Sequence, residues 1–108
     1  MFLPTLATQW SGVPLARRLR AERGILVCVL HDARAATLGE LRFGHPAPNM
    51  LLYTLGTGIG GGVIIDGKLR LGPFGTAGEL GHQVIELDGP PCTWGSRGCL
   101  ETLASGPP

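Results

Sequence analysis

The sequence predicts an α/β protein, with an α/β segment first and a segment rich in β-structure after it. Two helical patterns flank the continuous apolar run Ile25–Leu30, which is typical of a strand covered on both faces. After the proline-rich break His45–Pro48, short apolar runs alternate with glycines, which favours strands and turns. We therefore divide the chain at this break into residues 1–47 and 48–108.

The first part carries two predicted helices. Met1–Ser11 shows no clear period and is expected to be coil. Val13–Glu22 is predicted to be helical because Pro14 suits a first turn, and Gly24 would end this helix. Asp32–Arg42 is rich in alanine and begins with a carboxylate, which is favoured at a helix start.

The second part is predicted to contain a hairpin and several loops. Met50–Leu55 and Val63–Ile65 are predicted strands on either side of a glycine loop, Gly56–Gly62. Asp66-Gly67 is a strong hairpin turn signal, with Lys68–Arg70 as the returning strand. The remaining expectations are a short helical turn within Thr76–His82, a strand at Val84–Leu87, a compact loop at Cys92–Gly98 and a helix from Leu100 to Ala104.

Composition excludes several classes of function. The net charge of +1 gives no electrostatic case for nucleic acid or an anionic membrane as the main partner, and the arginines between positions 17 and 23 are interpreted as a solvated helix face. No apolar run approaches the ~20 residues needed to span a bilayer, and no signal peptide is visible. Three cysteines do not describe a disulfide framework, which favours a reducing cytoplasm.

The glycine loop Gly56–Gly62 is a candidate phosphate site. Consecutive glycines let backbone N–H groups point into one concavity, and the Thr57 hydroxyl adds a donor. The loop is not a Walker loop, because no Lys-Ser/Thr follows it, and a dinucleotide fingerprint would need a helix where this sequence predicts a strand. The alternative is a glycine-rich β-turn without a ligand.

Asp32 is a candidate general base. It directly follows a predicted buried strand, and open α/β sheets place ligand-facing groups at such strand ends. A carboxylate there can accept a proton from a substrate hydroxyl. The alternative is a helix-starting aspartate with a structural role only.

His82, Cys92 and Cys99 form a candidate metal group, flanked by Glu79 and Glu101. Sulfur and imidazole nitrogen are zinc ligands, but structural zinc sites usually have four of them. Two buried cysteines and an unrelated histidine are the alternative.

Several motifs follow one another in an order that resembles a known family. His31–Glu40 is similar to Asn-Asp-Ala-Asn-Ala-Ala-Ala-Leu-Gly-Glu, and Cys92–Glu101 is similar to Cys-x-Cys-Gly-x-x-Gly-Cys-x-Glu. Trp10–Leu15, Gly56–Gly62 and Gly78–His82 complete the series, the last resembling a sugar-binding Glu-x-Gly-His. Together they resemble the ROK family of sugar kinases and sugar-responsive repressors (repressors, ORFs, kinases).

This resemblance implies part of an actin-like, hexokinase-type ATPase fold of the ribonuclease H-like kind, truncated at both ends. Residues 1–47 would end the small α/β domain with a hinge helix, and residues 48–108 would begin the larger domain. The implied function is a fragment of an ATP-dependent, glucokinase-like hexose kinase that is inactive alone. A fragment of a ROK-type sugar-responsive repressor and a decayed remnant are the alternatives.

The resemblance also implies roles for individual residues. Asp32 would be the base, and ATP with Mg²⁺ would be the phosphate donor. The substrate would be a hexose or N-acetylhexosamine, and full-length relatives would be homodimers. The implied contacts are Gly56, Thr57 and Gly58 with nucleotide phosphates, His31, Glu79, His82 and Glu101 with sugar, and His82, Cys92 and Cys99 with Zn²⁺.

The sequence departs from the family pattern at three positions. Trp94 stands where the pattern has its second cysteine, so the zinc site is one ligand short. His31 and Arg34 stand where the pattern has two asparagines, of which the first would contact sugar.

Overall fold

Residues 12–106 are described by a computed structural model, which divides into two units at the step from Leu30 to His31. The predicted coil Met1–Ser11 lies outside the described residues. No helix among the described residues is long and apolar enough to cross a membrane.

The first unit contains helix α1, Leu15–Arg23. Gly24 ends it as predicted: it adopts a left-handed conformation with φ of 65°, and its N–H donates to the Arg20 carbonyl. The strand predicted at Ile25–Leu30 is wrong, since this segment is irregular and Leu26 is 84% exposed. A strand needs a neighbour to pair with, and the Val27 carbonyl instead accepts two hydrogen bonds from the Arg20 guanidinium, at 2.6 and 3.0 Å.

The second unit is a three-stranded antiparallel sheet covered by short helical segments. Its strands, β1, β2 and β3, lie in chain order, and Met50 pairs with Ile64 and Ile65 with Lys68. The elements are α2 Asp32–Phe43, β1 Met50–Leu55, β2 Ile59–Ile65, β3 Lys68–Leu69, a 3₁₀ turn Leu80–His82 and α3 Leu100–Ala104.

The turn between β2 and β3 forms as predicted. Asp66 and Gly67 have φ values of 53° and 71°, the two positive angles of a type I′ turn. The Asp66 N–H also donates to the Asn49 side chain at 3.1 Å.

The strand predicted at Val84–Leu87 is wrong. Val84 makes one isolated bridge with Cys99, and the next two N–H groups, of Ile85 and Glu86, both donate to the Gly98 carbonyl. Two donors converging on one carbonyl bend the backbone, so this segment is part of a closed loop.

The predicted glycine loop is shorter than expected, because Gly60, Gly61 and Gly62 belong to β2. A Cβ atom at Gly62 would overlap the Thr37 side chain of α2, and one at Gly61 would lie 2.7 Å from Leu80 on the opposite face. These glycines therefore let α2 and the 3₁₀ turn approach the strand from both sides. The small core of the unit lies here, with Ala33, Thr37, Ile59 and Ile64 all at most 2% exposed.

Candidate functional site

The start of β2 is where most of the predicted site residues gather. Helix α2, the 3₁₀ turn and α3 all contact this strand. Gly81 packs directly on the backbone of Ile59, and a Cβ at Gly60 would lie 2.9 Å from Ala33. The strand therefore connects the segments that carry Asp32, His82 and Glu101 to the glycine loop before it.

Asp32 is the first residue of α2, and its side chain is 96% exposed. Its Oδ1 atom accepts a hydrogen bond from the Ala33 N–H at 2.7 Å and lies 3.1 Å from Nδ1 of His31. Oδ2 has no hydrogen-bond partner among residues 12–106, so it is open to a proton donor from outside the protein.

The glycine loop proper consists of Gly56, Thr57 and Gly58. The Gly56 N–H donates to the Gly58 carbonyl at 3.0 Å, and the Gly56 carbonyl accepts from Gly106 at 2.8 Å. Gly56 is thus used to shape the turn. The N–H groups of Thr57 and Gly58 and the Thr57 hydroxyl have no acceptor within the described part of the chain, so they are the donors that a ligand can meet.

Glu101 lies against the same loop. Its Oε2 atom accepts the Ile59 N–H at 2.8 Å, and a Cβ at Gly58 would lie 2.7 Å from that oxygen. A side chain at position 58 would therefore displace the Glu101 carboxylate from this contact. The sequence carried no signal for it, because the bond joins residues 42 positions apart.

Arg34 is a site residue that sequence reasoning treated only as a departure from a pattern. Its side chain is buried and donates to the carboxylate of Glu79 at 2.9 Å and to the carbonyls of Gly75 and Ala77 at 2.7 and 3.1 Å. A local signal existed: Arg34 and the buried Thr37 are three residues apart on one helix, which places them on the same face.

His82, Cys92 and Cys99 come together as the sequence predicted for a metal group. Their ligand atoms all lie within 4.8 Å of one another, with 3.4 Å between His82 Nδ1 and Cys92 Sγ. Ligand atoms of a tetrahedral zinc site lie about 3.5–4 Å apart, as bond lengths of about 2.0–2.3 Å require. Both cysteines are buried, so the donor set fits zinc with three protein ligands.

The two thiols differ in acidity. Burial acts to raise the pKa of Cys92, but hydrogen bonds from the Trp94 backbone and from the side chains of Cys99, His82 and Ser96 lower it to about 7. The Ser96 hydroxyl acts to lower the pKa of Cys99, yet the hydrogen bond with Cys92 and burial raise it above its usual value. The thiolate, which is the form that binds metal, therefore develops first on Cys92.

Trp94 covers the histidine of this group. Its ring stacks on that of His82, with centroids 4.2 Å apart and an angle of 19° between the planes. Position 94 therefore offers no ligand atom to a metal. Its indole ring instead restricts the rotation of the His82 imidazole by stacking on it.

The sequence matches a known protein family over nearly its whole length. The sequence profile of the ROK family matches residues 2–108. The chain belongs to the ROK family. The resemblance seen in the order of its motifs is thereby confirmed.

Characterised ROK relatives include sugar kinases of two kinds. A glucokinase of Halalkalibacterium halodurans is 48% identical over 99 residues, which cover 89% of this chain and 30% of the relative. An N-acetylmannosamine kinase of Vibrio cholerae is 46% identical over 94 residues, covering 86% and 33%. This ROK chain thus spans about a third of the length of these relatives.

Solved ROK structures share its fold. The ROK hexokinase of Thermus thermophilus matches with a TM-score of 0.80 and 42% identity, over 86% of this chain and 33% of that one. A ROK glucokinase of Streptomyces griseus, in complex with glucose and AMPPNP, matches with 0.74 and 47%, over 85% and 30%. A ROK transcriptional regulator, a homologue of the E. coli MLC protein, matches with 0.72 and 38%, over 84% and 24%.

These likenesses confirm the predicted fold class, a mixed α/β part of the actin-like, hexokinase-type ATPase fold. The division into residues 1–47 and 48–108 stays a prediction, as do the roles assigned to single residues.

Proposed function

We propose that this ROK chain supplies part of the active centre of an ATP-dependent hexose kinase. The observation that carries the proposal is the meeting of three segments on β2: the start of α2 with its exposed Asp32, the glycine loop with its open N–H donors, and the 3₁₀ turn with His82. Kinases among the relatives, named as glucokinase and N-acetylmannosamine kinase, support a hexose or an N-acetylhexosamine as substrate.

The proposed reaction transfers the γ-phosphoryl group of ATP to a sugar hydroxyl. The hydroxyl oxygen attacks the γ-phosphorus, its proton passes to a carboxylate oxygen of Asp32, and the bond from γ-phosphorus to the β,γ-bridging oxygen breaks to release ADP. Phosphoryl transfer depends mainly on positioning and on charge stabilisation. Mg²⁺ accompanying ATP would offset the phosphate charge.

The glycine loop would hold nucleotide phosphates through the donors that its own turn leaves open. These are the N–H groups of Thr57 and Gly58 and the Thr57 hydroxyl, with Gly56 shaping the turn. Oriented backbone N–H groups bind anions without a charged side chain. Glu101 would hold the loop in this form through the Ile59 N–H.

The sugar would be bound by side chains that each keep one polar atom open. Oε1 of Glu79 accepts from Arg34, so Oε2 of Glu79 is left for a sugar hydroxyl. Nδ1 of His82 faces Cys92, so Nε2 of His82 is left for another hydroxyl. His31 and Glu101 complete the proposed set. Carboxylates and imidazoles pair well with sugar hydroxyls, because they offer acceptors to O–H donors.

Zinc is part of the proposal. His82, Cys92 and Cys99 would hold Zn²⁺ with a fourth ligand from outside the protein, since Trp94 offers none. Bound there, the metal would tie the loop of residues 92–99 to the 3₁₀ turn. The cytoplasmic location and the homodimeric state of longer relatives stay predictions.

Because the chain covers 33% of the Thermus thermophilus ROK hexokinase, the test takes the other two thirds from that enzyme. The matched segment of the Thermus thermophilus ROK hexokinase is replaced by the corresponding residues of this chain, and ATP-dependent phosphorylation of glucose and N-acetylmannosamine is measured. We expect turnover, and we expect Asp32→Asn to abolish it while sugar affinity is largely kept. Asp66→Asn, at the exposed hairpin turn, is the matched control and retains activity.

A folded chimera that binds sugar but transfers no phosphate would refute the kinase proposal. The similarity to a ROK transcriptional regulator makes sugar sensing the second candidate in that event. A chimera that binds no sugar would point to a decayed remnant.

A further inference from the structure

Arg34 is the one charged side chain that is buried among residues 12–106, with 7% of its surface exposed. Burying a charge is costly unless it is paired and hydrogen-bonded. An exposed position on the same helix, such as that of Arg42, would avoid this cost. The groups that bind the guanidinium must therefore compensate for its burial.

The guanidinium of Arg34 uses all three of its nitrogens. Nε donates to the Ala77 carbonyl at 3.1 Å, one terminal nitrogen donates to the Gly75 carbonyl at 2.7 Å, and the other donates to Oε1 of Glu79 at 2.9 Å. The planar fork fixes these three acceptors relative to one another. Each contact spans more than 40 positions of sequence, the separations being 43, 41 and 45 residues.

The segment held in this way lacks regular secondary structure, and its other ties are backbone ones, such as the Ala77 N–H donating to the Leu71 carbonyl at 3.0 Å. Residues 70–76, between β3 and the 3₁₀ turn, are exposed. Gly72, Gly75 and Gly78 have φ values of 70°, 70° and 89°, and such glycines permit many other backbone conformations. The bonds from Arg34 are the side-chain bonds that tie this segment to α2, just before Glu79 enters the 3₁₀ turn.

The two carboxylate oxygens of Glu79 have different surroundings. Its side chain is 22% exposed, and Oε1 is bound by Arg34, whereas Oε2 accepts no hydrogen bond from any residue that the structure describes. With Oε1 anchored and the backbone tied at Gly75 and Ala77, the position of the carboxylate is restricted. Oε2 is then held on the side away from Arg34, where it can accept a hydrogen bond from a ligand.

We propose that Arg34 is a positioning residue that aims Oε2 of Glu79 at a single sugar hydroxyl, and so makes the site depend on that hydroxyl. This inference rests on the sugar-binding role proposed above for Glu79. A hydrogen bond to an ionised group contributes about 1.5–3 kcal/mol, so a sugar without that hydroxyl binds roughly tenfold to a hundredfold more weakly.

The test measures the affinity of the full 108-residue chain for glucose and for each of its monodeoxy derivatives, by chemical-shift titration. The quantity compared between variants is the ratio of the affinity for glucose to that for the deoxy sugar. The wild-type protein is expected to bind glucose and to discriminate at least tenfold against one deoxy sugar. Glu79→Gln, which weakens the acceptor, is expected to reduce that ratio.

Substitutions at position 34 then separate positioning from mere packing. Arg34→Gln is expected to bring the ratio close to one while the other deoxy sugars keep their rank. Arg34→Lys keeps a cation within reach of Glu79 and is expected to restore part of the ratio. Arg42→Gln, the same change at an exposed position on the same helix, is expected to leave the ratio unchanged.

The outcomes are distinct. Retained discrimination in a folded Arg34→Gln protein overturns the inference, and so does an equal loss of affinity for every sugar, which marks a structural role only. If Arg34→Gln does not fold, Arg34→Lys decides: a ratio equal to that of the wild type overturns the inference, because a lysine cannot reproduce the fork. If the 108-residue chain alone binds no hexose, the same ratio is measured in the chimera described above, and a folded chimera that binds no hexose overturns the proposed function and this inference with it.

Discussion

Replacing Gly62 with alanine tests the finding that the glycines of β2 serve helix packing. The added Cβ would overlap the hydroxyl of Thr37 and lie 2.7 Å from its Cβ. Thr37 is fully buried and its hydroxyl donates to the Ala33 carbonyl at 2.7 Å, so it cannot turn aside without losing that bond. Overpacking of this kind costs about 1–3 kcal/mol.

The expected result is a lower free energy of unfolding, measured by urea denaturation followed by circular dichroism. For a unit of this size the same loss lowers the Tm by about 4–8 °C for each kcal/mol. Gly39→Ala is the matched control, because a Cβ at this helical position meets no atom within 4 Å. Removing a glycine from a helix interior is expected to stabilise the protein by about 0.5–1 kcal/mol.

The double variant Thr37→Ala/Gly62→Ala isolates the contact. Thr37→Ala removes the hydroxyl and methyl groups that the new Cβ would meet and leaves only the Thr37 Cβ in its way, so the double variant is expected to be more stable than the sum of the single effects predicts. A coupling of about 1 kcal/mol is within the range for residues in contact. Strict additivity, or a Gly62→Ala protein as stable as the wild type, would refute the packing argument.

Three further predictions concern other parts of the chain. Trp94→Cys adds a third thiolate, and so a fourth ligand, to the group of His82, Cys92 and Cys99, and it is expected to raise zinc affinity at least tenfold in competition with a chromophoric chelator; an unchanged affinity would contradict the three-ligand site. Glu101→Leu removes the acceptor of the Ile59 N–H and is expected to cost about 1.5–3 kcal/mol in urea denaturation, whereas Glu101→Gln keeps a carbonyl oxygen and is expected to cost less. Leu26→Ala is expected to change the unfolding free energy by less than about 0.5 kcal/mol, because this side chain is exposed; a loss above 2 kcal/mol would mean that the segment is buried in solution.

Local signals in the sequence predicted the elements that local forces determine. The helix from Asp32 begins with a carboxylate, and the turn at Asp66-Gly67 needs positive φ angles that few other pairs adopt. Both were found where expected. The strands predicted at Ile25–Leu30 and Val84–Leu87 were wrong, because an apolar run becomes a strand only where a partner strand satisfies its backbone.

In the candidate site, too, a grouping within a short stretch of sequence could be predicted and a long-range contact could not. The grouping of His82, Cys92 and Cys99 could be predicted because all three lie within one short segment. The bond from Arg34 to Glu79 could not, since it depends on how α2 lies across the sheet. The glycines of β2 were assigned to a phosphate loop because a run of glycines looks the same in sequence whether it frees N–H groups or admits a neighbouring helix.

The glycines of β2 limit which substitutions this protein can tolerate. A Cβ at Gly60 would lie 2.9 Å from Ala33, the residue next to Asp32. A side chain added there would crowd both the Thr54 hydroxyl and the start of α2, and a shift of that helix start would move Asp32 with it. Natural variants that lose the proposed kinase activity would therefore include changes at glycines that bear no reactive group, and such losses would be repaired by smaller residues on the facing elements.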